Sequence, residues 1–424
     1  MSSQTPEPRT ILEPTSDHAA APHHAAAPHR GAAGPRGATR AHEHEHERAA
    51  AASTPTGAPA STGQTEVLIR REGPDGRLGR LTLNRPATIN ALTTPMVRLI
   101  DDALRAWADD PGVRAVVLDG AGERGLCAGG DMRAVRAAVL AGRPQDARDF
   151  WAHEYRLNAR IRSFPKPYIA IMDGIVMGGG IGLSAHGNVR IVTERSVLAM
   201  PEVGIGFIPD VGGTWLLGHD APGELGTHLA LTGTRFGAAD AILTGLADHY
   251  LPAARLPDLL DTLRAADDPA AAILSCDLGA HSPPPGRLAA DRVWIDDLYR
   301  GDDLARIVRL LTHSVKPAAR DAAAEIATKS PTSLTVTLRA LRTAASMTSL
   351  EEALDQEYSL ALASLTSADL IEGVRAALVD KDRTPRWSPS RLTAVTPSDV
   401  DRFFAPTGPG LGLTAARPPA HAAR

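Results

Sequence analysis

The sequence predicts an α/β core followed by an all-helical C-terminal section, and three observations carry that expectation. Short apolar runs recur between residues 66 and 199. Segments with apolar residues at helical spacing alternate with them, as in chains that build a sheet with crossover helices. Beyond Pro252 the strand-like runs fade, while helical patterns continue to residue 379.

Residues 1 to 63 are dominated by Ala, Pro, His, Gly, Ser and Thr without apolar periodicity. Such a composition buries too little surface to offset chain entropy, so a disordered tail is expected. From Glu66 the pattern changes. Glu66–Arg70 and Leu78–Leu83 read as two strands around the turn Pro74-Asp75-Gly76. Pro95 opens a helix through Ala108, with Met96, Leu99, Ile100, Ala103, Leu104 and Trp107 on one face. Val113–Leu118 is a short buried strand. A helix follows Asp131, and another runs from Asp146 to Arg162. Tyr168–Met172, Val189–Val192 and Val197–Ala199 are further strands. Later helices are expected at Leu256–Ala266, Leu304–Thr312, Ala318–Thr328, Leu334–Ala345, Leu350–Ser364 and Ala368–Val379. The chain thus divides into a tail (1–63), an α/β core with the active site (64–255), a helical section (256–405) and a loose tail (406–424). No internal repeat of fixed period is visible.

Composition narrows the function. The 424 residues suffice for a large core or two domains. A formal charge of −4 supplies no basic field for nucleic acid or a membrane surface. With 5 Trp, 5 Tyr and 6 Phe, stacking platforms for single strands are not expected. Cys127 and Cys276 alone argue against a disulfide framework or a cysteine-based zinc site, and for a reducing compartment. His219, His228 and His249 have no metal-ligand spacing, so no metal is expected and the three read as surface or supporting residues. No run reaches the length of a membrane span. Arg30, Arg36 and Arg40 fit a mitochondrial transit peptide, but the acids of the 42–47 His/Glu run do not. High Ala, Arg and Pro usage points to a bacterial cytosolic protein, or to the mitochondrial matrix if the source is eukaryotic.

The chemistry concentrates in residues 199–213. Glu202 and Asp210 stand eight positions apart in an otherwise apolar run punctuated by Gly204, Gly206 and Pro209. Those residues disfavour a regular helix, so the segment bends and both carboxyl groups can face one cavity. Neighbouring buried acids push their pKa values apart, which suits one as acid and the other as base or nucleophile. Two glycine clusters lie upstream: Cys127-Ala128-Gly129-Gly130-Asp131 and Met177-Gly178-Gly179-Gly180-Ile181-Gly182. Each sits where a helix begins, with free backbone N–H groups and room for close approach, as an oxyanion hole requires. Competing motifs are weaker. Gly180-x-Gly182-x-x-Ala185 with Glu194 formally fits a dinucleotide fingerprint but does not open its domain. Ser184 and His186 miss a nucleophile elbow by one residue.

In order along the chain, Asn84-Arg85-Pro86, Asn90-Ala91-Leu92, Cys127-Ala128-Gly129-Gly130-Asp131, Asp173-Gly174 with Gly178-Gly179-Gly180, and Pro201-Glu202 resemble the crotonase (enoyl-CoA hydratase/isomerase) superfamily. The resemblance spans residues 66 to 405. It implies a spiral of repeated ββα units with an α-helical C-terminal section, an acyl-CoA substrate and no separate cofactor. Within the superfamily the chain is similar to the thioester-hydrolase branch. Gly182 falls where hydratases carry their first catalytic glutamate, and Asp210 where they carry a glycine. Ser330–Leu334, Glu357-Tyr358 and Glu372–Ala376 also match that branch.

The implied roles are backbone oxyanion donors at Gly130 and Gly179, catalytic carboxylates at Glu202 and Asp210, and substrate contacts from Gly129, Gly178 and Glu154. Arg133 is expected to approach the CoA phosphates. Glu202 is favoured as nucleophile or base, with Asp210 as its proton-handling partner. The expected reaction is hydrolysis of a short β-hydroxyacyl-CoA. The alternatives are an enoyl-CoA hydratase or isomerase, and a non-catalytic acyl-CoA-binding or assembly subunit. Crotonase relatives commonly form trimers or hexamers, and the extended helical end leaves the homo-oligomeric state open.

Overall fold

The computed structural model describes residues 65–406 and 408–414; the tail expected at 1–63 lies outside them. The strands are β1 (Val67–Glu72), β2 (Leu78–Leu83), β3 (Ala115–Gly120), β4 (Tyr168–Met172), β5 (Ile175–Met177), β6 (Val189–Val192), β7 (Val197–Ala199) and β8 (His249–Tyr250). The helices of the first half are α1 (Thr94–Ala108), α2 (Met132–Leu140), α3 (Pro144–Arg162), α4 (Gly179–Ser184), α5 (Gly213–Trp215), α6 (Leu225–Thr232) and α7 (Ala238–Leu243). The second half continues with α8 (Leu256–Ala265), α9 (Pro269–Ser275), α10 (Leu288–Leu298), α11 (Leu304–Thr312) and α12 (Pro317–Ile326). It ends with α13 (Pro331–Ala344), α14 (Leu350–Ser364), α15 (Ala368–Val374) and α16 (Pro397–Phe404).

β1 and β2 form an antiparallel hairpin, and β2-β3-β4-β6-β8 continue it in parallel. The period-two rule sorts their side chains. Val116, Leu118, Tyr168, Ala170 and Met172 face the main apolar cluster. Ala115, Val117, Ile169 and Ile171 face a second cluster closed by Leu256, Leu259 and Leu263 of α8 and Ile273 of α9. Burial on both faces explains why these strands read as continuous apolar runs rather than alternating ones.

A second, smaller parallel sheet pairs β5 with β7. Cys127 bridges to Val176 at one edge of it, and Leu198 to Phe236 at the other. β4 and β6 are each followed by a short strand in the second layer, β5 and β7, and then by a helix or turn; after β3 the isolated bridge of Cys127 to Val176 takes that place. That is the expected spiral of ββα units. Its period is hidden in the sequence because the connections differ in length. The first unit ends in α2 and α3, the second in the six-residue α4, and the third in a 3₁₀ turn over Glu202–Ile205.

Several helices were not foreseen. α6 is buried along its whole length, so it carries no amphipathic stripe to recognise. α16 opens on a Thr396/Asp399 capping box, a signal that the sequence does display. The segment expected as a loose tail also differs. Leu411 is buried in the main cluster, and its carbonyl accepts from Arg156 at 3.3 Å.

Candidate active site

Local chemistry brings the two glycine clusters together. Asn90 holds a left-handed backbone (φ 54°), and its amide donates to the carbonyls of Ala121, Gly125 and Leu126 at 3.0–3.2 Å. Leu92 accepts from the Asp131 N–H and donates to the Gly129 carbonyl, both at 2.9 Å. Gripped on either side, the Gly130 amide donates to no other main-chain group among the described residues. Cys127 then pairs with β5 through Cys127 N–H to Ile175 (3.1 Å) and Met177 N–H to Cys127 (3.0 Å). This bridge lays the first cluster alongside the second. Gly179 opens α4, so its N–H has no intrahelical acceptor. A Cβ on Gly179 would stand 3.3 Å from the Gly130 nitrogen and 2.5 Å from Glu154 Oε1. The two free amides are thus neighbours, with a carboxyl group beside them.

The acidic segment meets the same place. Glu202 starts the 3₁₀ turn that ends at left-handed Gly206 (φ 73°), and a Cβ there would collide with the Asp369 carbonyl of α15. This close approach pins the turn against the helical section. One cavity of about 120 Å³ is lined by Gly129, Gly130, Gly178, Gly179, Glu154, Glu202 and Asp210. Its apolar walls include Trp151 and Phe207, which stack at 5.2 Å, together with Phe150 and Leu378. Leu378 belongs to the π-helical turn Arg375–Val379, so the C-terminal section closes part of the wall. Arg133 is exposed on α2 and does not line the cavity.

Three buried carboxyl groups lining one small cavity cannot all ionise freely. Burial, and then the charge of Asp210, pushes Glu154 and Glu202 well above the usual carboxylate range. Glu154 Oε1 and Glu202 Oε2 have no hydrogen-bond partner among the described residues. Asp210 is also raised by burial, to about 7, but the Tyr155 hydroxyl donates to its Oδ2 at 2.7 Å and favours its ionised form. Negative charge therefore rests first on Asp210, which qualifies the sequence-based preference for Glu202 as the resident base.

Tyr155 and Asn158 are neighbours that motif reading did not single out, and Glu357, matched there to the hydrolase branch, was given no place at the site. Tyr155 directly follows Glu154 on α3, but nothing in its spacing marks it as a partner of a residue 55 positions away. Asn158, one turn further, is fully buried, neither of its amide atoms has a partner among the described residues, and it lies beside Gly182. A Cβ on Gly182 would meet Val211 Cβ at 2.6 Å and Asn158 Nδ2 at 2.8 Å. The space that a residue-182 carboxylate would need is filled.

The competing motifs dissolve. Gly180 backs onto Cys127, while Glu194 accepts from the Ala253 N–H at the surface. Ser184 Oγ donates to the Gly180 carbonyl and His186 Nε2 bonds the Val211 carbonyl, so the two do not form a dyad. His228, read as surface or supporting, is buried against Trp294 and Tyr299 and does not line the acidic cavity. Among the described residues, no group of three or more His, Cys, Asp or Glu is arranged to hold a metal ion.

Comparison with known proteins places the chain by family and fold. A family model described as enoyl-CoA hydratase/isomerase matches residues 78–404. The chain is 38% identical over 351 residues to the mitochondrial 3-hydroxyisobutyryl-CoA hydrolase of Gallus gallus, covering 81% of this chain and 89% of that protein. Two crystal structures superpose closely. One, described as a carnitinyl-CoA dehydratase from Mycobacterium thermoresistibile, has TM-score 0.77 and 52% identity, covering 82% of this chain and 98% of the other. The second, an enoyl-CoA hydratase from Rhodobacter sphaeroides, has TM-score 0.76 and 44% identity, with 82% and 99% covered.

Proposed function

The chain belongs to the enoyl-CoA hydratase/isomerase family, and from that membership we propose that it is an acyl-CoA thioester hydrolase acting on 3-hydroxyisobutyryl-CoA. The products are 3-hydroxyisobutyrate and CoA, a step of valine breakdown. The observation that carries the reaction class is the joint lining of one cavity by Glu202, Asp210 and the Gly130/Gly179 loops. The substrate follows from the names of relatives such as the Gallus gallus protein, and a cavity of about 120 Å³ with aromatic walls suits a short acyl group.

In the proposed mechanism the Gly130 and Gly179 amides receive the thioester oxygen as it gains charge. Glu202 and Asp210 share one negative charge. Glu202 passes its proton to Asp210 and attacks the carbonyl carbon; the C–S bond breaks, and the departing thiolate takes the proton from Asp210. The acyl–Glu202 anhydride is then hydrolysed by a water whose proton Asp210 accepts. If Glu202 instead deprotonates water, the same two acids serve without an anhydride. Single turnover in heavy-oxygen water tests the covalent route: label entering the Glu202 carboxylate shows an anhydride opened at the enzyme carbonyl, whereas label in the product alone fits water attack at the acyl carbon by either route, and hydroxylamine trapping of an acyl–Glu202 intermediate then separates them.

The names of the superposed structures favour a second reading, hydration or dehydration of a double bond. Hydratase chemistry ordinarily places a second glutamate at residue 182, where this chain has glycine and no free space. Assays of the purified chain for thiol release from a panel of short acyl-CoAs, beside crotonyl-CoA hydration, decide between them. Hydration without thiol release would overturn the proposal. A bacterial cytosol is the proposed compartment, on the composition; no described helix is long and apolar enough to cross a membrane.

A further inference from the structure

Asp210 is held by an unusual turn. Val211 has φ 55° and Gly212 φ 80°. A β-branched residue in the left-handed region is strained by roughly 1–3 kcal/mol, so the surroundings must enforce it. Two buried side chains hold it, one at the Val211 carbonyl and one at the Gly212 and Thr214 amides. His186 Nε2 lies 2.7 Å from the Val211 carbonyl, an acceptor only, so that nitrogen carries the proton and donates. Glu357, fully buried on α14, accepts from the Gly212 N–H at 2.6 Å, the Thr214 N–H at 2.8 Å and the Thr214 hydroxyl at 2.5 Å. The next residue on α14, Tyr358, packs edge-on against Tyr155 at 6.3 Å, and Tyr155 donates to Asp210. One helix of the C-terminal section therefore supports Asp210 through its backbone turn and through its hydrogen-bond donor.

We propose that Glu357 is a positioning residue: its carboxylate fixes the Asp210-Val211-Gly212 turn, so that α14 sets where the Asp210 carboxyl stands in the cavity. This rests on the reading of Asp210 as a working acid. Burial pushes Glu357 up to about 8, against three donors that favour its ionised form; a buried acid so bracketed is a costly fixture to maintain for a turn alone. Its donors are all in the residues just after Asp210, which gives it a specific object. A misplacement of about 1 Å at a reacting group costs up to roughly 100-fold in rate.

The test uses the full chain and three variants: Glu357→Gln, Thr214→Val and Asp210→Asn. Glu357→Gln is isosteric, and Thr214→Val removes one arm of the bracket and serves if Glu357→Gln fails to fold. Expected for Glu357→Gln is a fall in kcat of about tenfold or more, with KM and the dissociation constant for CoA changed less than threefold. Expected for Thr214→Val is a smaller fall of the same kind. In the Asp210→Asn background the Glu357→Gln change should have no further effect on the residual rate. A crystal structure of Glu357→Gln should show Val211 leaving the left-handed region or Asp210 leaving Tyr155. An unmoved turn, or effects that add fully to those of Asp210→Asn, would overturn the proposal. Full turnover by Asp210→Asn alone would instead remove the catalytic reading of Asp210, and this proposal with it, whatever the turn does in the crystal.

Discussion

Replacing Tyr155 with Phe removes one hydrogen-bond donor and leaves the ring in place, which makes it a clean probe of the acid pair. The hydroxyl sits 2.7 Å from Asp210 Oδ2, both groups being buried. A hydrogen bond to a charged group contributes about 1.5–3 kcal/mol, and about 1.4 kcal/mol corresponds to one pKa unit. Without it, ionisation of Asp210 should move from about 7 up by about one to two units. At pH 7 the ionised share would fall from about half to roughly 1–10%, a loss of about 5- to 50-fold in kcat/KM. The assay is thiol release across pH 5.5 to 9.5. The expected signature is an alkaline displacement of the rising limb, with activity largely recovered at high pH. Lost activity with an unmoved limb would show that the ionised Asp210 is not the working form, and would refute the electrostatic argument.

Glu202→Gln should abolish turnover while CoA affinity, measured by calorimetry, stays near that of the parent; an active variant removes Glu202 from the reaction. Gly182→Ala should destabilise the fold by about 1–3 kcal/mol through overpacking against Val211 and Asn158, read as a lowered denaturation midpoint, and unchanged stability would mean that the site is roomier than described. The buried acids also set a pH dependence of stability. Asp210 keeps its proton to about 7 when folded but ionises near 4 when unfolded, so its favourable contribution is complete below about 4 and lost as pH rises to about 7. Asp210→Asn should therefore gain stability relative to the parent between pH 4 and 8 in denaturant titrations, and a difference independent of pH would contradict the burial argument.

Much of the fold was legible because its signals are local. β2, β4, β6 and β7 lie within the apolar runs that announce them, and α11 and α14 match their periodic segments. What was missed is what local pattern cannot carry. α6 is buried all round, and β5 and β8 are too short to stand out. The candidate site divides in the same way. The unusual placement of Glu202 and Asp210 in an apolar, glycine-rich run made both visible, and the two glycine clusters pointed to free amides at helix starts. Tyr155 and Glu357 were not visible as partners of Asp210, since hydrogen bonds across 55 and more than 140 positions leave no periodic trace.

The sequence by itself determined which residues are candidates for the chemistry: two acids in an otherwise apolar run, and glycines that permit close approach of main-chain amides. Only the tertiary structure decided how they work together. The Cys127–β5 pairing makes two separate amides neighbours, Val211 and Asn158 fill the place of a side chain at residue 182, and α14 holds the turn beneath Asp210. The physical reason is that burial and proximity set the charge state of a carboxyl group, and both are properties of the packed chain rather than of its order of residues.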